Sequence, residues 1–459
     1  MPGTTAPPTA RWLDDWRPED PAFWSATGAR IARRNLAASI FSEHLGFSVW
    51  SLWSVLVLFM VPANGFGFDA AQKFLLVSLV TLVGSVLRVP YTLAVPRFGG
   101  RNWTIATTFA LLVPTLLGAW MITRPGAPFG LFLVVAAVAG IGGGNFSSSM
   151  TNINLFYPER RKGWALGLNA GGGNLGVATI QLIGLAVIGF AGVAHGSYLP
   201  LVYVPFILAA GYCATRYMNN ISGVRFDARA QFGVLRDRNS WIMSVLYIGT
   251  FGSFIGYGFA FGLVLQNQFG QTPLQAAALT FLGPLLGSLA RPLGGKLSDA
   301  LGGGRVTLWT FLAMIAGTAV ILAAAAQASL PLFVAGFVAV FVLTGIGNGS
   351  TYKMIPSIFA AQAEDRIAAG TPREEAAAWA RRQSGSLIGL CGAFGAFGGV
   401  LINLAFRQSY ASAASASPAF VGFLIFYLFC AGLTYVAYLR RPVASGGAVP
   451  APQRAEVAE

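Results

Sequence analysis

Strongly apolar, nearly uncharged runs of about twenty residues follow one another along most of this 459-residue chain. An α-helix of that length crosses the roughly 30 Å hydrocarbon core of a bilayer, and inside a bilayer a segment must satisfy its own backbone hydrogen bonds. The alternative, a closed barrel, needs short strands that alternate apolar and polar residues, and that pattern is absent. Only 10% of the residues are charged, against about 25% in a soluble domain. The fold class expected is an all-α polytopic membrane protein. Hydropathy places about twelve spans near 37–62, 73–95, 103–123, 129–157, 164–191, 199–217, 241–266, 274–297, 306–327, 331–358, 384–406 and 418–439.

A net charge of +14 would suit a nucleic-acid partner, but its distribution argues for a lipid one. Basic residues cluster in alternate loops: Arg30, Arg33 and Arg34; Arg97 and Arg101; Arg160, Arg161 and Lys162; Arg216 to Arg238; Lys296 and Arg305; Arg366 to Arg382; Arg440 and Arg441. The intervening loops hold only Lys73, Arg124 and Arg407. This asymmetry follows the positive-inside rule and puts both termini in the cytoplasm of a cell whose inner membrane holds the chain. The expected organisation is a cytoplasmic segment 1–36 with no signal peptide, a six-helix half 37–217, and a central cytoplasmic loop 218–240. A second half, 241–441, follows with a cytoplasmic insertion 359–383, and then a disordered Pro/Ala/Gly-rich tail 442–459. The Ala/Glu/Arg-rich insertion is expected to form an amphipathic helix of its own. Cys213, Cys391 and Cys430 have no disulfide or metal spacing and read as packing residues.

Two arginines break the apolar pattern. Ser85-Val-Leu-Arg88-Val-Pro90 and Ser288-Leu-Ala-Arg291-Pro292 share a frame, offset by 291 − 88 = 203 residues. The same offset carries Asn145 onto Asn348 (348 − 145 = 203), within Gly142-Gly-Gly-Asn-Phe146 and Gly345-Ile-Gly-Asn-Gly349. After the insertion the offset becomes 222, aligning Gly167, Gly173 and Gly176 with Gly389, Gly395 and Gly398. Three span pairs in one order make a parallel duplication, the architecture of the major facilitator superfamily. Gly295-Lys-Leu-Ser-Asp-Ala-Leu-Gly302-Gly-Gly-Arg305 resembles that superfamily's loop signature, and Pro96-Arg-Phe-Gly-Gly-Arg101 is a degenerate first copy.

A guanidinium at mid-membrane costs about 2.5–3.5 kcal/mol and cannot shed its proton. One such residue could snorkel to the headgroups. Two at matching positions of a duplicated fold point to a central site for an anion, which the planar fork of arginine binds with two parallel hydrogen bonds. Asn145, Asn169 and Asn174 supply neutral donors nearby, for substrate or for a neighbouring helix. Gly143, Gly144, Gly171, Gly173, Gly392 and Gly395 give small-residue faces for close packing, and such faces also let helices rock. Lys353, in the tenth span, is a further site cation or a snorkelling residue.

These motifs resemble a known family. Gly142-Gly-Gly-Asn-Phe-Ser-Ser-Ser-Met150 through Phe156-Tyr-Pro158, Gly167-Leu-Asn-Ala-Gly-Gly-Gly-Asn-Leu-Gly176, both arginine frames and Asp15-Trp-Arg-Pro-Glu-Asp-Pro-Ala-Phe-Trp24 resemble the nitrate/nitrite porters. The resemblance runs from about Trp16 to Arg441. It implies a secondary transporter in which Arg88 and Arg291 clamp nitrate or nitrite, with Phe47, Phe146, Asn174, Tyr257 and Phe261 lining the site; Asn145 is a further candidate from its place beside the arginines. It also implies exchange of one anion for the other by a monomer without cofactor or metal. One feature departs from it. Glu43 and His44 sit in the first span, where a carboxylate either couples protons to anion entry, with His44 as relay, or serves as a static counter-ion. A nitrate sensor on a transporter fold is a further alternative. With two histidines, His44 and His195, and no cofactor motif, an enzyme is not expected.

Overall fold

The computed structural model describes residues 11–223 and 232–440. Among these, twelve helices are long and apolar enough to cross a membrane: α1 (Pro21–Phe59), α2 (Ala70–Phe98), α3 (Gly100–Met121), α4 (Phe129–Phe156), α5 (Glu159–Ala191), α6 (Tyr198–Tyr217), α7 (Arg238–Phe269), α8 (Pro273–Leu301), α9 (Gly303–Ala326), α10 (Leu330–Ala368), α11 (Arg373–Ala413) and α12 (Ser417–Leu439). An even number of crossings brings both ends of the described chain to one face, called here the terminal face, with the far face opposite.

The halves repeat in detail. Asp69 caps α2 in a capping box with Gln72, and Thr272 caps α8 in a capping box with Gln275; 272 − 69 and 275 − 72 both equal 203. Each box satisfies donors left orphaned at a helix start. The turns that end these helices share a left-handed glycine, Gly99 at φ 84° and Gly302 at φ 89°, a conformation that side chains disfavour. Within each half, α2 meets α4 and α8 meets α10 at glycines. A Cβ on Gly143 would lie 2.7 Å from Gly84 Cα, and one on Gly345 would strike the Gly287 carbonyl.

The helices run beyond the spans that hydropathy marks. Asp20 accepts from the amides of Ala22 and Phe23 and starts α1 at Pro21. The arginines at 30, 33 and 34 end the apolar signal without ending the helix. The insertion 359–383 is likewise no separate helix. Its Ala/Glu/Arg content favours helix throughout, so α10 and α11 simply continue and turn between Ala368 and Arg373, where Gly370 takes φ 97°. In the central loop, β2 (Asn220–Ile221) pairs in parallel with β1 (Trp12–Leu13), tying the N-terminal segment to the end of α6. The tail 442–459 lies outside the described residues.

Between the halves, α2 packs along α11 and α5 along α8. Phe74 of α2 stacks on Phe406 and Tyr410 of α11, with centroids 5.5 and 5.4 Å apart. Gln181 of α5 donates to the Gly258 carbonyl of α7 at 2.8 Å, and Trp50 of α1 meets Phe259 of α7 edge-on. Among the described residues, every hydrogen bond and ring contact joining the halves lies at the level of the two arginines or farther toward the far face. The molecule is sealed on that side.

Candidate anion site

Arg88 lies about 15 Å inside α2 from Phe98, near mid-membrane, at 1.5 Å per residue. It is wholly buried. Its Nη1 donates to the Gly392 carbonyl of α11 at 2.7 Å, across the two halves. Three aromatic faces surround its guanidinium carbon, those of Phe146 at 4.6 Å, Phe251 at 5.2 Å and Trp50 at 5.4 Å. Cation–π contacts of this kind contribute about 0.5–2 kcal/mol each and offset much of the burial cost. The Nε and Nη2 hydrogens find no acceptor among the described residues. These two donors form one edge of the guanidinium plane, the edge that matches a bidentate oxyanion.

Arg291 of α8 is 8% exposed. Its Nη2 donates to Tyr247 Oη at 3.4 Å, and its carbon lies 5.3 Å from the Tyr352 ring. Its Nη1 has no acceptor among the described residues. Aromatic rings connect the arginines: Phe251 stacks on Tyr247 at 5.1 Å and 14°, and Tyr247 leans on Tyr352 at 5.4 Å. A π-helical turn at Ile248–Gly252 in α7 sets the register that sends Phe251 to Arg88. Phe146 stacks on Phe251 at 6.2 Å, and Phe47 stands edge-on behind Phe146 at 5.8 Å.

Of the expected lining residues, the structure brings Phe146 directly and Phe47 indirectly to Arg88. Asn145 is buried against Gly46, and its amide atoms have no partner among the described residues. The same holds for the amides of Asn174 and Asn348, which leaves three neutral groups with unused donors. Tyr257 and Phe261 are not brought to the arginines. They lie about 15 and 21 Å farther along α7 than Tyr247. There Tyr257 bonds Tyr427 Oη, and Phe261 stacks on Phe337 at 4.2 Å, inside an aromatic cluster toward the far face. The aromatic residues of α7 that do meet the arginines, Tyr247 and Phe251, stand four apart on one helical face. Together with Trp50 and Tyr352 they carry no distinguishing signal in the sequence, because aromatic residues crowd these spans and only the fold selects among them.

The glycines divide as well. Gly143 abuts Gly84 and the Trp50 ring, Gly144 abuts Tyr91, Gly392 abuts Phe146 and Arg88, and Gly395 abuts Tyr247 and Phe251. Gly173 leaves room for Glu43 Oε1, whereas a Cβ on Gly171 would meet nothing within 4 Å. Lys353 is not a site cation. It pairs with Asp299 at 2.8 Å, and both side chains are exposed. Glu43 accepts from Asn169 Nδ2, and Asn169 also donates to Ser149 Oγ at 2.6 Å. Glu43 makes no ion pair with either arginine. His44 turns its Nδ1 to the Gly172 carbonyl at 3.0 Å, so the two neighbours both face α5 without bonding each other. Among the described residues no group of three or more His, Cys, Asp and Glu could hold a metal ion.

Residues 37–371 match the sequence profile of the Major Facilitator Superfamily. The chain is 40% identical over 448 residues to the nitrate/nitrite transporter NarU of Salmonella typhimurium, covering 94% of this chain and 96% of the relative. It is 39% identical to NarU of Escherichia coli with the same coverage. A probable nitrate/nitrite antiporter, NarK2 of Thermus thermophilus, is 33% identical over 457 residues, covering 94% and 97% of the two chains. In overall fold the chain resembles a bacterial homologue of the human lysosomal transporter Spinster, solved in an inward-facing, occupied conformation. The TM-score is 0.62 at 17% identity, over 87% of this chain and 95% of that one. Family profile, relatives and twelve-helix fold agree that this chain is a multi-pass membrane transporter of the nitrate/nitrite porter family within the Major Facilitator Superfamily.

Proposed function

We propose that this chain moves nitrate and nitrite across the cytoplasmic membrane by alternating access, holding the anion between Arg88 and Arg291 at the junction of the halves. The observation that carries this reading is the free Nε/Nη2 edge of Arg88, buried among aromatic rings with no acceptor among the described residues. A buried donor pair left unfilled costs free energy that a bound oxyanion returns. Aromatic faces suit a planar or bent ion that is weakly hydrated, and the amides of Asn145, Asn174 and Asn348 are buried donors without a partner among the described residues.

The basic clusters on the terminal face support its assignment to the cytoplasm. The far-face seal then describes an inward-facing carrier, with both termini in the cytoplasm. The two halves, about 37–217 and 241–441, rock about the site between them as a monomer in the lipid. Two permanent cations repel each other when the cavity closes empty, and a bound monoanion reduces their total from +2 to +1. The clamp by itself therefore favours exchange, nitrate for nitrite.

Proteoliposomes test this directly. Vesicles loaded with nitrite should take up external nitrate, and the Arg88→Lys and Arg291→Lys variants should not do so at low nitrate. Uptake by either variant equal to that of the unaltered protein would remove the clamp.

A further inference from the structure

Glu43 has no part in the anion clamp, yet it is 1% exposed in the middle of the first half. A carboxylate in that position is normally neutralised by a cation. Here the groups packed around it are uncharged: Ser149 and Met150 of α4, and Asn169 and Gly173 of α5. On its own helix, His44 is committed to the Gly172 carbonyl. Oε2 takes the Asn169 amide, and Oε1 has no donor in bonding geometry among the described residues. Among the described residues the other buried charged side chains are Arg88 and Arg291, and Lys73 and Arg101 near the starts of α2 and α3, and none of them pairs with Glu43. Trp50, which covers Arg88, is seven residues on, so Glu43 stands about 10 Å along α1 from the arginine level, toward the terminal face.

We infer that Glu43 is a proton-binding site linked to the anion site, and that it gives this chain a proton-driven uptake mode in addition to exchange. The inference rests on the reading of Arg88 and Arg291 as the anion clamp. The reason is charge matching. With Glu43 ionised, the empty clamp totals +1. With Glu43 protonated and a monoanion bound, the total is again +1. The other two states, empty and protonated at +2 or loaded and ionised at 0, differ from these by a full charge. A carrier that crosses only in the two matched states moves one proton with each nitrate and returns empty.

The step balances. In the outward-open state a proton from water forms an O–H bond at Oε1, and nitrate enters the clamp. In the inward-open state that O–H bond breaks to water on the terminal side and nitrate leaves, with zero net charge moved. Proton and anion bind cooperatively because each removes the charge that disfavours the other, and the linkage is reciprocal. For unit charges about 10 Å apart at an effective dielectric near 20, the coupling is on the order of tenfold in affinity. Gly173 is part of the device, since any Cβ there would displace Oε1.

Two measurements decide it. The first is proton uptake from weakly buffered solution when nitrate is added to the purified protein near the midpoint of its pH-dependent binding. The unaltered protein should take up protons, and its nitrate affinity should fall on the order of tenfold from low to high pH. Proton-silent, pH-independent binding would overturn the inference without touching the clamp. The second is nitrate uptake into vesicles free of nitrite under an inward proton gradient. The unaltered protein should accumulate nitrate; Glu43→Gln should lose this uptake yet still exchange nitrate for internal nitrite, which also reports that it is folded. Gradient-driven accumulation undiminished in Glu43→Gln would overturn the inference. Failure of the unaltered protein to bind or exchange nitrate at all would overturn the clamp reading itself.

Discussion

Arg88→Lys isolates what a fork contributes beyond a charge. Lysine keeps the positive charge and can still reach the Gly392 carbonyl that Arg88 Nη1 holds at 2.7 Å. It cannot then offer two parallel donors along a second edge, the role left to Nε and Nη2. Losing one charge-assisted hydrogen bond to the anion costs about 1.5–3 kcal/mol, which is about 10- to 150-fold in affinity. The flat contacts to Phe146, Phe251 and Trp50 are also lost, so the ammonium is held less firmly in place. Nitrate binding to purified protein and the concentration dependence of nitrate–nitrite exchange are the assays, with size-exclusion behaviour as the check on folding. A folded Arg88→Lys protein binding nitrate within twofold of the unaltered chain would refute the argument, because a point charge would then suffice.

Three more predictions follow from the packing. Asp69→Ala and Thr272→Ala each remove one of the paired capping boxes; each should cost about 1 kcal/mol of stability, seen as similar small drops in thermal midpoint in detergent with exchange retained. Gly143→Ala forces a methyl to within 2.7 Å of the Gly84 backbone and 2.8 Å of the Trp50 ring, so overpacking of about 1–3 kcal/mol should lower the yield of folded protein, whereas Gly171→Ala, facing open space, should not. Phe74→Ala removes two stacking contacts that close the far face; at about 0.5–1.5 kcal/mol each it should raise the far-side-open population several-fold or more, measured as faster labelling of a cysteine introduced below the seal. Unchanged labelling would mean that the neighbouring helices, and not this stack, hold the face shut.

Twelve spans, two halves and a pair of central arginines were legible in the sequence because each rests on a local or periodic signal. Bilayer thickness sets the length of an apolar run, a buried arginine stands out in such a run, and duplication leaves an arithmetic offset that the caps at Asp69 and Thr272 repeat in three dimensions. The same local signals misled where charge and helix propensity disagree. Hydropathy sets the limits of α1, α10 and α11 short of the charged stretches at 30–34 and 364–382, although the helices continue into them. Which aromatic residues meet the arginines was not legible. On α7, Tyr247, Phe251, Tyr257 and Phe261 are all aromatic and all buried. The depth of the crossing and the π-helical turn at Ile248–Gly252 decide that the first two face Arg88 and Arg291 while the last two plug the far side. Likewise the sequence placed Glu43 inside the membrane, but only packing could decide that its neighbours are neutral and that Lys353 belongs to Asp299 at the surface. A chain's own composition determines which segments leave water; contacts between residues hundreds of positions apart, such as Arg88 with Gly392, exist only once the two halves have closed around them.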